Sequence, residues 1–244
     1  MSAELVLWLG AAIFVIAVLY SSVGHAGASG YIAVMSLASL GPEVIKPTAL
    51  CLNILVAGIA SWQFLRAGHF LWRSFWPFAL LAVPMAFIGG HIDLPAQAFK
   101  VLLGLVLLVA AVRFVVDARQ DAVCREAPRG AALGAGGVIG LLSGLTGTGG
   151  GIFLTPLLLH MRWARAKQAA AVSALFILLN STAGLAGNLA STRQLPDALW
   201  PWLAAAAAGG VIGAHLGSRR LAPVWIKRFL AAVLLIAGLK LILS

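Results

Sequence analysis

Acidic residues are scarce in this chain, and where they fall matters as much as how few they are. There are seven among 244 residues: Glu4, Glu43, Asp93, Asp117, Asp121, Glu126 and Asp197. Each lies in a loop or near the end of an apolar stretch. No carboxylate is placed to relay a proton or bind sodium at membrane depth, where such groups mark ion pathways. That argues against a cation transporter. Cysteine is nearly as rare. Cys51 sits in an apolar stretch and Cys124 in a charged one, so neither a disulfide nor a metal-ligand spacing is expected. No metal and no cofactor is implied.

What the chain has instead is apolar length. Hydrophobic residues make up 61% of it, charged residues 10%, and the mean hydropathy is +1.01. A soluble domain could not hide so much apolar surface, whereas a bilayer demands stretches of about 20 apolar residues. The fold class expected is an all-α polytopic membrane protein. The formal charge of +10 is no sign of nucleic acid, because membrane proteins gather lysine and arginine in cytoplasmic loops whatever they bind. The first 28 residues could pass for a signal peptide, but their only early charge is Glu4 rather than a basic residue.

The chain repeats itself. "FWPFALLAVPMAFIGGHI" (75–92) aligns without a gap with "LWPWLAAAAAGGVIGAHL" (199–216), matching Trp76 to Trp200, Pro77 to Pro201 and His91 to His215. "SSVGHAGASGYIAVMSL" (21–37) lies opposite "SGLTGTGGGIFLTPLLL" (143–159), and Lys46 and Lys167 follow at matching places. Residues 1–116 form a first membrane repeat, 117–130 a charged linker and 131–244 a second repeat. Each repeat reads as five apolar segments: 5–22, 24–40, 47–65, 71–91 and 97–116, then 131–147, 150–160, 168–190, 197–216 and 226–243. The loops 41–46 and 161–167 separate the second and third segments of each set. A short, Gly-interrupted segment at matching places in two halves points to a transporter binding site. Whether those segments span fully or are re-entrant stays open at this level.

Charge selects a topology. With the linker cytoplasmic and the first two segments of each half folding back together, 13 of the 17 basic residues lie inside. Lys46, Lys100, Arg193 and Lys240 are the four outside. A single crossing by those segments would give an 8 to 9 split, so the positive-inside rule prefers the first arrangement. The halves are then inverted, with the broken segments meeting near the midplane and both termini on the non-cytoplasmic side. The expected location is the cell (inner) membrane.

Two similar halves, each with a Gly-rich motif followed by a short apolar stretch, carry a resemblance over nearly the whole chain. "GLTGTGGGIFLTPLLL", a glycine run closing on Pro156, and "AKQAAAVSALFILLNSTAG" (166–184) resemble the sulfite exporter TauE/SafE family. The first half has a thinner glycine run, with His25 inside it and Val34 in place of the proline. The resemblance implies a secondary transporter, an exporter of sulfite, a sulfonate or a related sulfur-containing anion, working by alternating access. Its partners would be that small anion and the lipid bilayer, with further copies of the chain left open.

Read residue by residue, the second glycine run comes first: Thr146, Gly147, Thr148, Gly149, Gly150 and Gly151, with Ser143. A helix starting near Ile152 would offer free N–H groups and a positive dipole end to an anion; the bland reading is a tight turn. Gly27, Ser29 and Gly30 form the thinner mate. Asn53, Ser173 and Asn180, with Ser181 and Thr182, lie inside the third segments and either cap neighbours or line a cavity. His25 could titrate near neutral pH and serve as a proton or substrate site. His91 and His215 read as interfacial anchors. Gly136, Gly140 and Gly144, like Gly209, Gly213 and Gly217, recur every four residues, a spacing that lets helices approach closely. Trp8, Trp62, Trp72, Trp163 and Trp225 fall mostly near segment ends, as an interfacial belt does.

Three other classes compete. A passive anion channel could use the same half-helix dipoles. A non-transporting scaffold would have no need for paired broken segments. An intramembrane serine protease could use the "GASG" at 27–30 with His91 or His215 as base, but Ser29 aligns with glycine in the other half. No enzyme is expected.

Overall fold

The computed structural model describes residues 2–22, 25–115, 125–192, 196, 199–217, 234–236 and 238–243. Among them are nine helices: α1 (Ala3–Ser22), α2 (Ala28–Leu37), α3 (Pro42–Arg66), α4 (Trp72–His91), α5 (Ala96–Val115), α6 (Arg129–Thr146), α7 (Gly151–His160), α8 (Ala166–Thr192) and α9 (Leu199–Gly217). Residues 234–236 and 238–243 are also helical. The described chain is all-α, and its long apolar helices make it a polytopic membrane protein. Four helices, within 3–21, 42–66, 72–91 and 167–191, are long and apolar enough to cross a bilayer by themselves. Segments centred on Gly24, on the linker 117–124 and on 218–233, including Trp225, lie outside the described residues.

The helices α2 and α7 have ten residues each, so each rises about 15 Å. That is half of a hydrocarbon core about 30 Å thick. Neither can cross alone. Each is separated from the helix before it by a glycine-bearing break, and buried positions run almost the whole length of α2.

One expectation is corrected here. Residues 42–46 are not a loop but the first turn and more of α3, and Ala166 and Lys167 likewise open α8. Pro42 starts α3 at a position where proline's missing N–H costs nothing. Lys46 is then buried within the helix. Its Nζ donates to the carbonyls of Gly90 (2.8 Å), Ile92 (3.0 Å) and Gly89 (3.3 Å), the end of α4. A helix C-terminus carries unsatisfied carbonyls and a partial negative charge, so the ammonium caps it.

Two long seams dominate the packing: α4 lies along α6, and α1 along α9. The four-residue glycine spacing explains how closely. A Cβ on Gly136, Gly140 or Gly144 would fall onto the carbonyl of Phe78, Ala82 or Ala86, successive turns of α4. A Cβ on Gly209 or Gly213 would meet Phe14 or Val18 of α1 in the same way. Backbone thus touches backbone along both seams. At the aligned positions Phe78 and Trp202, two of the largest side chains are fully buried, and the Trp202 indole N–H donates to Val6 O (3.1 Å). Helices α3 and α8 pack on each other, α3 also on α9 and α8 also on α4 and α6. Trp8, Trp62 and Trp72 are exposed.

Three connections gather on one face. The Arg125 N–H donates to Arg162 O (2.8 Å), Arg73 meets Glu126 (3.4 Å), and the Arg129 guanidinium lies over the Trp76 ring. The end of the linker and the loop after α7 therefore share a side with the start of α4.

Candidate anion site at the second helix break

Between α6 and α7 the chain passes through three left-handed glycines, Gly147 (φ 79°), Gly149 (φ 74°) and Gly150 (φ 79°). Side chains other than glycine adopt that region reluctantly, which is why the run is glycine-rich. Gly147 ends α6 and Gly150 starts α7. Positions 146–152 are all buried. The first N–H of α7 to reach an acceptor within the protein is that of Phe153, on Gly150 O (3.1 Å). Among the described residues, the amides of Thr148, Gly149, Gly150, Gly151 and Ile152 find none. A helix start always leaves several N–H groups over; here they are left over in the interior.

The surroundings are polar and under-satisfied. Gly149 faces the Asn53 amide and the Ser181 hydroxyl, and Gly150 faces Ser143, Ile139 and Phe176. Asn53, Ser143, Asn180 and Ser181 are all fully buried. Asn53 Nδ2 donates to Ser181 Oγ (3.3 Å), leaving Asn53 Oδ1 without a partner. Ser143 Oγ and both polar atoms of Asn180 also lack one. Asn180 lies on the α8 stripe that runs from Phe176, against Gly150, to Gly184, against Gly144. An unpaired buried polar group costs about 1–3 kcal/mol, so several around one break are an expense that packing alone does not explain.

The threonines behave otherwise. Thr146 Oγ1 donates to Leu142 O (2.7 Å), so in its 3.0 Å contact with Thr148 Oγ1 the proton must come from Thr148. Both hydroxyl protons are engaged, and neither threonine is a free donor. Ser173, opposite Asn53 in the repeat, accepts from Thr155 Oγ1 (2.8 Å).

The first break is built differently. Gly27 (φ 100°) starts α2, but Ser29 Oγ is 2.7 Å from Tyr20 OH and Tyr31 OH donates to Ala26 O (2.9 Å). A Cβ on Gly30 would strike Ile16 and Tyr20, and one on Gly27 would strike Tyr31. The chain's two tyrosines fill this break from both sides. Ser29 thus has a phenol for a neighbour, and His25, whose backbone N–H donates to Tyr20 O (2.9 Å), lies at the same turn. The two breaks share one apolar cluster, in which Ile152 of α7 joins Tyr31 and Ile32 of α2.

Sequence reasoning missed the tyrosines and the capping role of Lys46. The first had a signal, since both tyrosines flank one glycine motif. Lys46 had none, because the carbonyls it caps are 43 to 46 residues away.

These features define the class: a polytopic α-helical membrane protein with two paired, interrupted helices buried among its long spans. Residues 9–241 match the family described as sulfite exporter TauE/SafE, and the chain belongs to that family. It is also 47% identical over 239 residues to a probable membrane transporter protein, y4hK, of Sinorhizobium fredii (strain NBRC 101917 / NGR234). That match covers 96% of this chain and 97% of the relative. No solved structure matches. The protein is a membrane transporter.

Proposed function

We propose that this chain is a secondary carrier, an exporter in the cell membrane, for a small sulfur-containing oxyanion such as sulfite or a sulfonate. The observation that carries the reading is the second break: buried, unbonded amides from Thr148 to Ile152 beside the unpartnered Ser143 and Asn180. Amide and hydroxyl donors at a helix start suit an anion's oxygens. The resting hydrogen-bond deficit is what a ligand would make good. The two long seams, α4 on α6 and α1 on α9, support two inverted halves rocking against each other, with the linker cytoplasmic.

Ser143→Ala tests this. It removes an unpartnered hydroxyl, so the purified variant should be at least as stable as the parent, while sulfite flux into proteoliposomes falls by about tenfold, the worth of one charge-assisted hydrogen bond. Flux equal to the parent's at unchanged stability would remove this break from the mechanism.

A further inference from the structure

Deepening that reading, on which it rests, we infer that the anion taken at the second break carries a single negative charge, as a sulfonate or hydrogensulfite does, and that doubly charged sulfate or sulfite is discriminated against. Every group the described structure offers there is neutral: backbone N–H from Thr148 to Ile152, the Ser143 hydroxyl and the amides of Asn180 and Asn53. A half-turn of the Asn53 side chain exchanges its oxygen for its nitrogen, so its unpartnered end can also donate.

Lys46 is the described cation whose own backbone borders the break. A Cβ on Gly147 would lie 3.1 Å from Lys46 O and 3.4 Å from its Cα. Its ammonium, however, is held by Gly89, Gly90 and Ile92 at the end of α4. Arg66, Arg73, Arg125, Arg129, Arg162, Arg165 and Lys167 are exposed, and Lys240 is bonded to Leu37 O (2.8 Å) at the end of α2. Taking an ion out of water costs an amount that grows with the square of its charge, so a dianion pays about four times what a monoanion does. Neutral dipoles answer that cost only in proportion to the first power. A site without a committed cation is therefore matched to one charge and under-provisioned for two.

The experiment uses the purified full chain in detergent, at matched ionic strength, with melting temperature as readout. Methanesulfonate and sulfate are titrated separately, and sulfite is titrated on both sides of neutrality, where it passes from mono- to dianion. Methanesulfonate should stabilise at a concentration about tenfold or more below any effect of sulfate. Stabilisation by sulfite should fade as pH rises through neutrality, with the same profile in His25→Ala and loss of the effect in Ser143→Ala. Sulfate acting as well as methanesulfonate, with both effects lost in Ser143→Ala, would overturn the single-charge inference and leave the anion site standing. Stabilisation by none of the three would overturn both.

Discussion

Asn180 is a fully buried amide with no partner for either polar atom. Lys46 shows the contrast, with three acceptors for its three protons. The two residues should answer mutation in opposite ways. Asn180→Leu keeps the size and removes an unsatisfied group, so it should melt higher, by the equivalent of about 1–3 kcal/mol, and yet lose flux. A lower melting temperature would mean that the amide is satisfied in the native membrane state. Lys46→Met should melt lower, by the equivalent of about 1–3 kcal/mol, because the last carbonyls of α4 lose their cap. The increment that methanesulfonate adds to its melting temperature should survive; its disappearance would place the Lys46 charge in the anion site. Enlarging Gly150 is a poorer probe, since its φ is positive and a Cβ there would press on Ile139 and Phe176.

Among the helices, α6 offers a comparison within one element. Gly134 has open space where its Cβ would be, whereas the Cβ of an alanine at 140 would land on the backbone of Ala82. Alanine favours helix over glycine by about 1 kcal/mol. Gly134→Ala should therefore raise the melting temperature, and Gly140→Ala should lower it by the equivalent of about 1–3 kcal/mol through overpacking. Equal effects at the two positions would show that α4 and α6 are not in backbone contact. Helix α4 carries Pro77 and Pro84 inside it, and neighbouring helices close on both its sides, at Gly136–Gly144 and at Gly187.

For the molecule as a whole, the clustering of Arg73, Arg125, Arg129 and Arg162 at one end makes a prediction about sidedness. A reporter inserted after Asp121 should be cytoplasmic and one after Ser244 on the opposite side. Both on one side would refute the proposed inverted arrangement. Saturable flux is expected with it, and flux that rises without limit would favour a channel.

Much of this was legible in the chain. The nine described helices sit where apolar length put segments, because a bilayer leaves a helix no other way to satisfy its backbone, and the Gly136–Gly140–Gly144 and Gly209–Gly213 spacings foretold the seams, because helical periodicity puts every fourth residue on one stripe. The glycines of 147–150 announced a break, since few other residues accept a positive φ. What only tertiary structure decided is which polar groups are already spent. Thr146 and Thr148 look like donors in the sequence but have used their protons on Leu142 O and on each other, and Ser29 is taken by Tyr20. Ser143 and Asn180 keep theirs. Hydrogen-bond capacity is exhausted by neighbours in space, often a hundred residues away, as Asn53 and Ser181 are; the sequence names the groups, and the fold alone settles which of them still have something to give.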